Sequence, residues 1–207
     1  MIRIFEFLFS PTYFYADYRK RKLRASGSVA TGNLIRAYNT RYLLMAIMLC
    51  IGVGLIHDDS AYSSEYSLPY SIMVFIIIWL FPLSRANEVC YAFLRDAIAK
   101  VNGEKSTSDL KYGERIKLAL KSYVELILDF GALFYLLPSS WFKGTFTNLV
   151  DSVYFSGVTI TTLGYGDISP IHVIPKLLSV YEVLCGFTLI VVSFAIYTGR
   201  GLEAKNA

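Results

Sequence analysis

Charge is scarce in this chain. Lys, Arg, Asp and Glu make up 17% of its 207 residues, against roughly 25% in an ordinary soluble domain. A mean hydropathy of +0.47 agrees, and together they exclude a conventional soluble globule. Histidine is scarcer still. His57 and His172 are the only two, far apart and with no Cys or second His nearby. Such a stock supplies no zinc-type cluster and no His-based catalytic pair, so an enzyme is not expected. Both histidines are expected near the outer surface, facing solvent. The three cysteines, Cys50, Cys90 and Cys185, are odd in number, widely spaced and set in or beside apolar runs. They form neither a disulfide framework nor a metal pattern and read as small buried hydrophobes. No helix carries arginine at every third position, which excludes a voltage-sensing helix. The start, MIRIFEFLFSPTYF, lacks a small-residue cleavage site, so no cleavable leader is expected.

What the chain has instead is apolar length. Residues 42–57 hold sixteen uncharged residues and 66–84 hold nineteen, near the ~20 needed to cross a bilayer. A third run, 116–141, contains Glu125 and Asp129, four apart and therefore on one helix face. Carboxylates are costly in lipid, so that face is expected to look at protein or water. A fourth run, 175–199, carries only Lys176 and Glu182 as charges. Pro175 suits a first helical turn.

Basic residues alternate with these runs. Residues 1–41 hold eight Lys or Arg, five of them in RKRKLR, and 84–122 hold another eight. The 57–67 loop has none, and 138–170 has only Lys143. By the positive-inside rule this gives four spans with both termini in the cytoplasm of a multi-pass cell-membrane protein. The net charge of +4 is thereby explained by topology, with contact to anionic lipid headgroups, and no nucleic-acid partner is expected.

Residues 142–174 fall outside by this count and are too polar to span again. Within them LVDSVYFSGVTI, Leu149–Ile160, is apolar and about one short helix long, with Asn148 as N-cap and Asp151 at the third helical position. Twelve residues are too few to cross and suit a re-entrant element. Thr161-Thr162-Leu163-Gly164-Tyr165-Gly166-Asp167 follows. Non-helical backbone at membrane depth is tolerated where it lines a water-filled path. Rows of backbone carbonyls replace the water around a potassium ion, and alternate glycines admit the backbone shape this requires.

TTLGYGD at 161–167 resembles the signature filter of potassium channels, with Leu163 where many members have valine. The resemblance takes in the preceding pore helix and the flanking outer and inner spans, residues 120–200. It implies that the Thr162 hydroxyl and the carbonyls of Thr162, Leu163, Gly164 and Tyr165 coordinate K+, the transported ion, with Gly166 at the outer mouth. Thr161 supports the filter from behind. Two departures from the family stand out. Tyr154 and Phe155 occupy the place of a tryptophan pair, and Val158 that of a glutamate before the filter. Asp167 is therefore expected to lack its usual partners, leaving a filter less firmly held. Tyr165 favours selectivity for potassium over sodium; a less selective monovalent cation channel is the alternative.

In the inner span Gly186 is either a gating hinge, as the resemblance implies, or a site of close helix packing. Glu182, one turn earlier, is expected to hydrogen-bond behind the pore helix. Phe194, Ile196 and Tyr197 are expected to form an apolar gate near the cytoplasmic end. One filter per chain implies a homotetramer, since four are needed around one axis.

The expected architecture is therefore an all-α integral membrane protein, four transmembrane helices plus a re-entrant pore helix. It comprises a basic N-terminus (1–41), two helices with an extension (42–99), a linker (100–115), a pore domain (116–199) and a tail (200–207). The eight residues after Gly199 are expected to leave no room for a regulatory domain within this sequence; a separate subunit, or a longer form of the chain, would be the two ways to have one. The gating stimulus is not legible.

Overall fold

A computed structural model describes the backbone of residues 7–23, 25, 27–58, 68–104 and 106–206. Most of the 57–67 loop, expected to lack a second filter, and the last tail residue lie outside the described residues. Helix dominates. In chain order we number α1 Pro11–Leu23, α2 Ser28–Asp58, α3 Leu68–Val101, α4 Tyr112–Tyr135, β1 Phe142–Lys143, α5 Leu149–Ile160, β2 Ser169–Pro170, α6 Val173–Phe187 and α7 Ala195–Asn206. A π-helical stretch, Thr188–Phe194, joins α6 to α7.

The elements follow local chemistry. Gly27, with φ +96°, turns the chain into α2. Glu114 sits in the first turn of α4, where its carboxylate accepts from Lys111 N–H at 3.0 Å and meets the positive end of the helix dipole. The polar turn between α3 and α4 falls within the expected linker. Helix extends into the basic N-terminus as α1, and α2 begins at Ser28, upstream of the apolar run that starts at residue 42; Gly32 is tolerated within it. The all-α expectation meets one small exception, the antiparallel ribbon pairing Phe142 with Pro170 and Lys143 with Ser169. Two described helical runs are long and apolar enough to cross a membrane, Ser28–Leu55 and Val173–Gly199.

The chain divides into two compact units. The first takes Met1–Leu43, Ser84–Val124 and Cys185–Ala207. Polar ties organise it. The buried Arg115 guanidinium donates to Asp96 Oδ2 at 2.7 Å, to Ser106 and Ser108 Oγ at 2.8 and 3.1 Å, and to the Leu110 carbonyl at 3.3 Å. It thereby fixes the turn between α3 and α4. Asn39 Nδ2 donates to the Leu118 carbonyl and, at 2.7 Å, to Ser122 Oγ, joining α2 to α4. Arg85 lies 3.7 Å over the Tyr42 ring, joining α3 to α2.

The second unit takes Leu44–Leu83 and Glu125–Leu184. Its core is aromatic. Phe134 of α4 meets Phe155 of α5 edge-on at 4.8 Å, and Phe142 and Phe146 close the cluster. Such pairs contribute about 0.5–1.5 kcal/mol each beyond the area they bury. Glu125 and Asp129 are both buried, as their shared face implied.

Candidate functional site

The short helix α5 starts where its sequence says. Asn148 is extended, and its side chain accepts from Asp151 N–H at 3.1 Å. The Asp151 carboxylate accepts in return from the N–H groups of Thr147 at 2.7 Å and Asn148 at 3.3 Å. The expected capping box is thus formed with Asp in the Glu position. Asp151→Ala is expected to cost about 1 kcal/mol, read as a lowered midpoint in thermal unfolding, whereas Val150→Ala on the exposed side is expected to change it far less.

At the other end of α5 the last carbonyls are taken by the segment that follows. Thr161 N–H donates to Gly157 O at 3.2 Å, Thr162 N–H to Thr159 O at 2.9 Å, and Leu163 N–H to Val158 O at 3.0 Å. Gly164 N–H reaches the same Val158 oxygen at 3.4 Å. The amide groups of 161–164 are thereby committed to the helix behind them. Among the described residues, the carbonyl oxygens of Thr162, Leu163, Gly164 and Tyr165 accept no hydrogen bond. The backbone alternates: φ is +59° at Thr162, +57° at Gly164 and +80° at Gly166, with ordinary values between. Thr162 is the one described non-glycine residue in that left-handed region, a conformation costing an L-residue roughly 1–2 kcal/mol. The side chains of Leu163 and Tyr165 are 56% and 67% exposed in the single protomer.

The outer end of this segment is clamped. Tyr154 Oη donates to Asp167 Oδ2 at 2.8 Å. Asp167 therefore has a partner, contrary to the expectation that the Tyr for Trp departure would leave it without one. A phenol does what an indole N–H would do. Tyr154→Phe is expected to remove on the order of 1 kcal/mol of support for this segment, read as a lowered midpoint in thermal unfolding, with Asp167→Asn giving a similar effect. Phe155 faces the other way, into the aromatic cluster. Residues 171 and 172 donate backbone N–H to the Trp141 carbonyl at 2.9 and 3.3 Å. His172 stacks on Trp141 at 3.9 Å, so it is half-covered rather than free in solvent. Gly144, at φ +86°, lets the β1 loop pass close by, since a Cβ there would lie 2.5 Å from the Asp167 carbonyl oxygen. Neither Trp141 nor Gly144 was singled out from sequence. The KGT turn was the only signal for the latter.

Thr161 Oγ donates back to the Gly157 carbonyl at 2.6 Å. Behind α5, Ser156 Oγ donates to Glu182 Oε1, and both residues are fully buried. Glu182 thus sits behind the pore helix, as expected, tying α5 to α6. Gly186 is buried, and two residues later the π-helical stretch begins. π-Helical turns concentrate at functional sites and loosen the regular ladder. Of the three residues expected at the gate, Phe194 is 43% exposed and Ile196 half-buried. Tyr197 is 1% exposed and donates to Asp96 at 2.7 Å, so its side chain is turned into its own protomer.

Comparison with known proteins bears on this same stretch. Residues 122–200 match the model of the family described as "Ion channel". Two-pore potassium channel 2 of Arabidopsis thaliana is 36% identical over 97 residues, covering 44% of this chain and 22% of the relative. Two-pore potassium channel 4 of the same plant is 47% identical over 60 residues, 28% of this chain and 21% of that one. Protein LctB of Bacillus caldotenax is 31% identical over 78 residues, 32% of this chain and 58% of its own length. The chain thus spans about a fifth of the plant relatives it matches. No solved structure matches it. Over residues 122–200 the chain is thus similar to ion channels, and the plant relatives that share this stretch are potassium channels.

Proposed function

We propose that this chain forms a potassium-selective channel that conducts K+ passively down its gradient. One observation carries the reading: the N–H groups of 161–164 are tied to the pore helix while the carbonyls of 162–165 are left unbonded. A strand so held offers a row of oxygen dipoles to a cation in place of its hydration water. Thr162 adds its hydroxyl, and Gly166 marks the outer mouth. One protomer supplies one wall, so four assemble as a homotetramer around the axis, consistent with the exposure of Leu163 and Tyr165 in the single protomer. The chain crosses the cell membrane four times, with both termini and the basic segments in the cytoplasm. Phe194 and Ile196 line the inner constriction, and Gly186 with the π-helical stretch after it gives the inner helix its bend.

Liposomes containing the purified chain test this under a potassium gradient. Uptake that is blocked by barium and is not supported by sodium is expected. Flux indifferent to the identity of the ion would replace the reading with that of a less selective cation channel.

A further inference from the structure

The structure brings two of the three cysteines together. Cys90 lies on α3 and Cys185 near the end of α6, both in the first unit. Their side chains are in hydrogen-bonding contact. Cys90 Sγ also donates to Thr188 Oγ1 at 3.7 Å. Thr188 is three positions beyond Cys185, so both contacts fall on one face of the inner helix. All three cysteines are thiols. Cys185 is fully buried, whereas Cys90 is only half-buried. Cys50 stands apart: it lies in the second unit, where its Sγ donates to the Leu128 carbonyl at 3.1 Å.

The place of the contact matters. Cys185 directly precedes Gly186, and the π-helical stretch begins at Thr188. Within that stretch Ser193 Oγ donates to the Thr188 carbonyl at 3.1 Å. Cys90 therefore touches the inner helix at its last regular turn, just before the segment where the ladder loosens. A thiol against a second thiol also differs chemically from a lone buried one. Once the accessible sulfur is oxidised to a sulfenic acid, the inner sulfur is placed to condense with it.

We propose that Cys90 and Cys185 form a modification site, a dithiol that closes to a disulfide on oxidation by a peroxide, with Cys90 meeting the oxidant and Cys185 resolving it. The Cys90 thiolate attacks one peroxide oxygen and the O–O bond breaks. The departing hydroxide leaves as water with the proton that Cys90 gave up. Cys185, as thiolate, then attacks the sulfur of the Cys90 sulfenic acid. The S–S bond forms, the S–O bond breaks, and the hydroxide leaves as a second water with the Cys185 proton. Two electrons pass from the two sulfurs to the peroxide, and an added thiol reductant reverses the bridge. The bridge ties the end of α6 covalently to α3. Its consequence for the inner helix as a gate rests on the channel reading; the bridge itself does not.

Differential thiol labelling of the purified full-length chain in detergent tests this, with hydrogen peroxide as the probe. The treated chain is denatured in N-ethylmaleimide, reduced, relabelled with the isotopically heavy reagent and mapped by mass spectrometry. Untreated chain should carry the light label on all three cysteines. After peroxide, Cys90 and Cys185 are expected to carry the heavy label in equal amounts while Cys50 stays light. The unreduced chain should be lighter by two hydrogen atoms and run as a monomer on a non-reducing gel. Cys90→Ser and Cys185→Ser should each abolish that loss, whereas Cys50→Ser, which keeps a donor to Leu128, should leave it unchanged. Should a variant fail to fold, the wild-type labelling pattern decides by itself. Three light labels after peroxide, a bridge that includes Cys50, a bridge between two chains, or oxygen added to Cys90 with Cys185 still a thiol would overturn the proposal. Flux in liposomes tests the consequence separately. With the bridge formed, potassium flux is expected to change and to recover in dithiothreitol; unchanged flux would overturn the effect on the inner helix and leave the bridge standing.

Discussion

Gly164→Ala and Gly166→Ala are each expected to abolish potassium-selective flux while leaving the helices intact. The reason is conformational. Both residues hold positive φ, +57° and +80°, and a Cβ at either position meets nothing within 4 Å inside the protomer. Crowding is therefore not the penalty. The cost is that of forcing an L-residue into the left-handed region, roughly 1–2 kcal/mol for each residue. Thr162 already sits there at +59°, so the strand carries one such strain before any substitution. In the proposed ring of four the added cost repeats to about 4–8 kcal/mol on the same estimate, comparable with the whole stability of a typical domain. The strand escapes by rotating its peptides, and the carbonyl row is lost. Gly113→Ala is the control. That glycine lies in the first turn of α4 with open space around it, and alanine there favours the helix. Far-UV circular dichroism should be unchanged in all three variants, and potassium-selective flux should survive only in Gly113→Ala.

Gly131→Ala is expected to be the most damaging substitution for folding. Gly131 lies in α4 where the pore helix crosses it. A Cβ there would be 2.9 Å from both Val153 Cα and Val153 Cγ2, and 3.3 Å from Val153 N. A flexible side-chain tip gives way cheaply, but Cα and N are backbone, so α5 itself must move. Overpacking of this kind costs typically 1–3 kcal/mol. Here the displaced backbone also carries the Asn148 cap, the Tyr154 bond to Asp167 and the Ser156 bond to Glu182. A lowered unfolding midpoint together with reduced ion flux is expected. Val153→Ala in the same chain removes only the Cγ2 contact and should restore part of the loss, leaving the backbone share.

Much of this site was legible before the fold was known, and particular residues show why. The capping box at Asn148 and Asp151 is local, so sequence spacing suffices to place it. The alternation around Gly164 and Gly166 is local too, and glycine marks it. Glu182 was placed behind the pore helix because a carboxylate in an apolar run needs a polar partner, although which partner, Ser156, depends on packing. What was not legible depends on contacts distant in sequence. Tyr154 reaches Asp167 thirteen positions on, so a departure from the family pattern looked like a loss when it is a replacement. Tyr197 was grouped with Phe194 and Ile196 by hydropathy alone. Its hydroxyl instead finds Asp96, 101 residues earlier in the chain, and helix rotation of that kind leaves no trace in composition. The meeting of Cys90 with Cys185 was equally invisible, because the two sit on separate helices at a spacing that suggests no pairing.

The reversal potential of single channels in a planar bilayer, with potassium on one side and an equal concentration of sodium on the other, tests the central claim most directly. If the unbonded carbonyls of Thr162, Leu163, Gly164 and Tyr165 form a potassium-sized cage, current carried by sodium is negligible. The reversal potential then lies far from zero, with the sign that marks potassium as the permeant ion. A reversal potential at zero, with open channels present, would contradict the account, because a pore that treats the two ions alike is not lined by that row of carbonyls.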